Sequence, residues 1–212
     1  MGGHKAVIKG NCERMNDMKL TLGIGLAALA LVLTPAGAQK TQSDGDTFLS
    51  ALREGNGSKA VQLAQGKGST VINYRGEDGE TALHIVTRLR NSNWIGFLLA
   101  NGADPNAGDR QGDTPLILAV RTGYGEGAAQ LLIGHAQVDK TNRLGETALI
   151  VAVQQRNASI VRTLLQLGAN PDRADHASGY SARDYATRDS RSKDMLRLIE
   201  TVKSRVPVGP KR

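Results

Sequence analysis

The sequence predicts an all-α solenoid of stacked helix-turn-helix units with hairpin-like loops, about five units including caps. Three observations predict it. The phrase Gly79-Glu80-Thr81-Ala82-Leu83-His84 returns as Gly112-Asp113-Thr114-Pro115-Leu116-Ile117 and again as Gly145-Glu146-Thr147-Ala148-Leu149-Ile150, with the three glycines at equal intervals. A looser copy, Gly179-Tyr180-Ser181-Ala182, follows at the same interval stretched by a single position. A second phrase, Leu98-Leu99-Ala100-Asn101-Gly102-Ala103-Asp104-Pro105-Asn106, recurs two intervals on, from Leu164 to Asp172, with a worn version from Leu131 to Asp139 between them. A fixed period of this length marks supersecondary units that can bury their apolar faces only against neighbours.

Each element follows from local chemistry. Thr47 to Glu54 and Ser58 to Gln65 read as two short helices separated by Gly55-Asn56-Gly57, and Val71 to Tyr74 leads into the first clear unit. Thr81, Thr114 and Thr147 each precede an apolar run, where a hydroxyl can cap the unpaired N–H groups of a first turn. Pro115 sits at the position where its missing donor costs nothing. Gly102 and Gly168 follow Leu pairs, as expected of a left-handed residue that ends a helix. Trp94 and Phe97 lie at the spacing of a helix core face. Leu131, Leu132, Leu164 and Leu165 are expected between successive second helices. At the far end, Ala182 to Ala186 and Met195 to Ile199 form a more polar pair, as a terminal unit facing water should.

The two phrases resemble the G-x-T-P-L-H and L-L-x-x-G-A-x-x-N pieces of the ankyrin repeat, in the same order and at the same separation. Three full copies run from Gly76 to Ala174. The departures are Ala at 82 and 148 in place of Pro, Ile at 117 and 150 in place of His, and His135 where the capping Gly belongs. They bear on the rigidity of single units. The resemblance implies a module that binds another protein, with contact positions in a concave groove and at hairpin tips. Nine residues after each motif Gly stand Arg88, Arg121, Gln154 and Arg188, and directly after it stand Glu80, Asp113, Glu146 and Tyr180. Two residues before it come Glu77, Arg110 and Arg143, with His176 as the match in the last unit when counted from Asp172. An acidic row beside a basic row is expected there, facing a partner with an acidic surface. A solvated charged face is the competing reading.

The N-terminus reads as a secretory signal over residues 1–38. Lys19 precedes the apolar run Leu20 to Leu33, which ends in Ala36-Gly37-Ala38, so cleavage is expected after Ala38. The run is short for a membrane span, which needs about 20 apolar residues, and a retained anchor is the alternative. Met15 or Met18 is an alternative start. The remaining divisions are a flexible stretch at 39–45, a repeat domain at 46–201 and a basic tail at 202–212. Cys12, the one cysteine, lies upstream of the apolar run, so the mature chain has no thiol chemistry. A periplasmic or secreted bacterial protein is expected, monomeric and without a stable membrane anchor.

The chain carries 27 Lys and Arg against 20 Asp and Glu; without residues 1–38 the balance is 23 against 18. A moderate positive charge favours acidic partners weakly, and an aromatic content of 3% speaks against a surface that stacks nucleic-acid bases. His84 belongs to the turn phrase, while His135 and His176 fall on loops with no second ligand at zinc spacing. Gln65-Gly66-Lys67-Gly68-Ser69-Thr70 lacks the spacing of a phosphate loop and reads as a surface loop. Gly123, Gly125 and Gly127 read as a separator between two helices. No nucleophile elbow places a His beside a Ser. No catalytic, metal or cofactor site is therefore expected, and the protein is read as no enzyme. Two alternatives stay open: an inhibitor or immunity-type protein that blocks a partner enzyme, and a hydrolase or small-ligand protein with an unrecognised site.

Overall fold

The computed structural model describes residues 43–67 and 69–202. All of them fall in one compact unit, Lys40–Arg212. The expected signal segment and nearly all of the basic tail lie outside the described residues.

Eleven α-helices make up the described chain. They are α1 (Asp44–Arg53), α2 (Gly57–Lys67), α3 (Ser69–Ile72), α4 (Ala82–Arg88), α5 (Ser92–Ala100), α6 (Pro115–Arg121), α7 (Gly125–Ile133), α8 (Ala148–Gln154), α9 (Ala158–Gln166), α10 (Ala182–Arg188) and α11 (Lys193–Thr201), with a 3-10 turn at Ser190–Ser192. The first helices α1, α4, α6, α8 and α10 stack in chain order in one layer, and α5, α7, α9 and α11 stack in the other. The result is the all-α solenoid that the period predicts.

The middle helices of the first layer are short and apolar all round. In α6 every residue from Pro115 to Val120 is buried, and in α8 every residue from Ala148 to Val153. A helix buried on all sides has neighbours before, behind and below, which is the position of a middle unit in a stack. The outer layer is amphipathic instead. In α9 Ile160, Val161, Leu164 and Leu165 are buried while Arg162 faces water. Each fully buried Leu or Ile contributes about 1.5–3 kcal/mol, so the shared core carries the stack.

Helix ends follow the local signals. Thr114 and Thr147 accept hydrogen bonds from the N–H groups of Ile117 and Ile150, both at 3.2 Å. Ser181 does the same for Asp184, whose carboxylate accepts the Ser181 N–H in return. Gly102 and Gly168 take left-handed φ angles of 83° and 90°, and His135 is forced into the same region at 65°.

Three boundaries differ from the sequence reading. Helix α1 starts ahead of residue 46, because Ser43 accepts the Asp46 N–H at 3.0 Å and Asp44 and Asp46 suit the positive end of a helix. Helix α2 runs through Gln65 and Gly66 to Lys67, and Ser69 opens α3, so the segment read as a loop is largely helical. Burial of Ala64, Val71 and Ile72 against the first unit drives this. Gly125 and Gly127 lie within α7 rather than between helices. Gly127 is required by space, since a Cβ there would overlap the Tyr124 ring.

Candidate protein-binding face

Between units the chain projects as a finger; the first turns on Gly76 through main-chain bonds alone, and in the other three one side chain at the base holds the turn. Asp109 Oδ1 accepts the N–H groups of Gln111 and Asp113, both at 2.9 Å. Asn142 Oδ1 accepts those of Leu144 and Glu146 at 3.0 and 2.9 Å, and Asp175 Oδ1 those of Ser178 and Gly179 at 2.7 and 3.1 Å. Asp109, Asn142 and Asp175 recur at the repeat period, a signal the sequence reading passed over.

Successive fingers are joined through their main chains. The Arg110 N–H donates to Asp78 O at 2.9 Å, the Arg143 N–H to Gln111 O at 3.1 Å and the His176 N–H to Leu144 O at 2.8 Å. His176 therefore takes the place of Arg110 and Arg143 in the last finger. The approach is close enough to need glycine: a Cβ on Gly112, whose φ is 80°, would stand 2.8 Å from the Arg143 nitrogen. A second ladder runs along the outer loops. Asn73 Oδ1 accepts from Asp104 N, Asn106 Oδ1 from Gln137 N and Asp139 Oδ1 from Asn170 N, at 2.7–2.9 Å.

Behind the fingers the two expected charge rows meet. Arg88 is paired with Glu80, which also lies 3.5 Å from Arg53. Arg121 bridges Asp113 of its own unit at 3.0 Å and Glu146 of the next at 3.3 Å. The Asn142 amide donates to the same two carboxylates at 2.8 and 2.9 Å. Arg188 lies over the Tyr180 ring, 4.3 Å from its centroid, and Gln154 closes α8 at the equivalent position. The position eight residues after each finger residue thus turns back to it in three units, by charge twice and by cation–π contact once. Burial pushes the Glu80 carboxyl up, but the Arg88 hydrogen bond and the charges of Arg88 and Arg53 outweigh it and hold the group below its ordinary value. This face is a ladder of alternating sign, so Arg88 and Arg121 present no bare cation to a partner.

The finger cations differ. Arg110 bonds Glu77 O at 2.9 Å and lies 3.4 Å from Asp78, with both side chains largely in water. Arg143 makes no ion pair among the described residues. Beside it Leu144 is exposed at the finger tip. The described residues contain no group of three or more His, Cys, Asp or Glu side chains arranged for a metal ion, and no helix among them is long and apolar enough to cross a membrane.

A row of main-chain-linked fingers in front of a helical stack defines a repeat scaffold that offers an extended face to other proteins. The family model described as "Ankyrin repeats (3 copies)" matches residues 47–142, 93–175 and 125–204. The chain belongs to the ankyrin-repeat family, whose repeats serve as a protein–protein interaction module. It is 40% identical over 73 residues to a transient receptor potential cation channel subfamily A member 1 homolog of Caenorhabditis elegans, covering 34% of this chain and 6% of the channel. It is 33% identical over 97 residues to the human mitochondrial disaggregase, covering 46% of this chain and 14% of that protein. A putative ankyrin repeat protein of fowlpox virus is 43% identical over 49 residues, 23% of this chain and 26% of the viral protein. The chain thus spans a quarter or less of the length of most curated relatives it matches, and these include animal and viral proteins.

Proposed function

We propose that this chain is an exported adaptor or chaperone-like partner, working in the periplasm without catalytic chemistry of its own, that holds another protein against its finger face. The observation that carries this reading is the main-chain bonding of each finger to the next, from Asp78–Arg110 to Leu144–His176. A surface fixed in advance loses little conformational freedom on binding, so more of its contact energy appears as affinity. The basic start and the apolar run from Leu20 to Leu33, ending at Ala36-Gly37-Ala38, support export. Similarity to a disaggregase fits a chaperone-like role.

The test is a pull-down from periplasmic extract with the mature chain as bait. A stoichiometric, inactive partner supports the adaptor. Capture of an enzyme that loses activity on binding replaces it with the inhibitor reading, and turnover of a small substrate by the isolated chain overturns both.

A further inference from the structure

The strongest unexplained feature of the finger face is Leu144. The tip position carries Asp78, Gln111, Leu144 and Ala177 in successive fingers, and Leu144 is 54% exposed. Its structural work is done by its main chain, which donates to Asn142 Oδ1 and accepts from the His176 N–H. Any residue except proline could do that. The aliphatic side chain is therefore not needed for the fold.

Leu144 borders a cavity of about 740 Å3 between the second and third fingers, lined also by Arg110, Gln111, Arg143 and the ladder around Arg121. The floor is saturated: Asp113 and Glu146 share both the Arg121 guanidinium and the Asn142 amide. The rim is positive and open. Arg143 has no ion partner among the described residues, and the exposed Arg110–Asp78 pair at 3.4 Å is of the weakly held kind.

We propose that this cavity takes an extended acidic segment of a partner protein, seating one aliphatic side chain on Leu144 and the neighbouring carboxylates on Arg143 and Arg110. The proposal rests on the finger face being the binding surface. Apolar contact without charge would leave the two guanidinium groups unused, and a phosphate chain would use the guanidinium groups but not Leu144. Of these three, the acidic segment with an aliphatic residue is the one that uses both. Arginine suits this role because its planar fork grips a carboxylate through two donors.

The experiment is selection of a random dodecapeptide library on the full chain, followed by fluorescence anisotropy of the enriched peptides at low and high salt. The enriched peptides should carry an aliphatic residue flanked by Asp or Glu. Leu144→Asp should weaken their binding about tenfold or more, as loss of a central contact does. Arg143→Glu should weaken it and flatten its salt dependence. Ile133→Ser, at another exposed aliphatic side chain, should change nothing, and circular dichroism should show all three variants folded. Peptides that bind equally well to Leu144→Asp and Arg143→Glu overturn this site and leave the binding function standing. Enrichment of neutral apolar peptides also overturns it, as does tighter binding of an oligonucleotide than of any peptide. If no peptide is enriched the site falls, and if the pull-down is also empty the proposed function falls with it.

Discussion

The imidazole of His84 reaches one unit forward, to the main-chain oxygen of Asp113, with Nε2 2.9 Å away. Its other nitrogen, Nδ1, accepts the Thr81 N–H at 3.1 Å and lies 2.9 Å from the Thr81 hydroxyl. A carbonyl only accepts, so Nε2 carries the proton and the ring is neutral. Burial lowers the His84 pKa, and the hydrogen bond to Asp113 only partly offsets that.

The first prediction is a loss of stability on mild acidification. With the folded pKa below the ordinary value of 6.5, the unfolded chain binds the proton first, and stability falls as pH drops from about 6.5 toward the folded pKa. Glu80 adds a second decline below its ordinary value of 4.5, because its folded pKa is also lowered. Urea melts from about pH 7.5 to 5 should show the first decline, and His84→Gln should flatten it at the expense of stability near neutrality. Identical slopes for the two proteins would put the proton elsewhere.

A core substitution in α9 tests the stack. Leu164 is fully buried, so Leu164→Ala should cost about 2–5 kcal/mol in a denaturant melt. A loss under about half a kilocalorie, the size of an ordinary surface change, would remove α9 from the core.

His135 should be improvable. It is exposed and held at φ 65°, where a non-glycine residue costs about 1–2 kcal/mol. After the extra unfolded-state entropy of glycine, His135→Gly should raise stability by about half a kilocalorie or more. Thermal melting that shows no gain would mean that the side chain offsets its own strain.

Arg121→Met should leave Asp113 and Glu146, whose side chains are only 11% and 14% exposed, facing each other without a cation. With Arg121 itself 42% exposed, screening by water limits the loss to about 1–2 kcal/mol. Equal stability of the variant and the parent would show that Asn142 alone suffices. Charge reversal at Arg88 or Arg121 is for the same reason a test of folding before it is one of partner steering.

The proposed export has its own readout. Mass spectrometry of protein recovered from the periplasm should give Gln39 as the first residue. An intact N-terminus on soluble cytoplasmic protein would contradict it.

The helix ends were legible because their causes are local. Thr114, Pro115 and Gly102 each act on backbone groups close by in the chain. Arg90 and Arg156 were not legible: both adopt left-handed φ, 53° and 56°, at the position where the intervening unit has Gly123. The turn is closed by main-chain bonds, Asn91 N–H to Val86 O and Asn157 N–H to Ala152 O, both at 3.0 Å, so the backbone sets the angle and the Arg side chain gives no sign of it. The charge rows were readable as positions from the spacing of Arg88, Arg121 and Arg188, but their partners were not. Whether Arg121 faces solvent or Glu146 depends on the twist between units, which no single unit encodes.

The outer ladder gives the stack a direction. Asn73, Asn106 and Asp139 each offer an acceptor to the main chain of the following unit, and none asks that unit for a particular side chain in return. The joint is written into backbone, so an in-frame duplication of one whole repeat would arrive with its coupling already made. Such a scaffold can lengthen by whole units while its surface residues diverge independently, and growth and recognition need not be solved together.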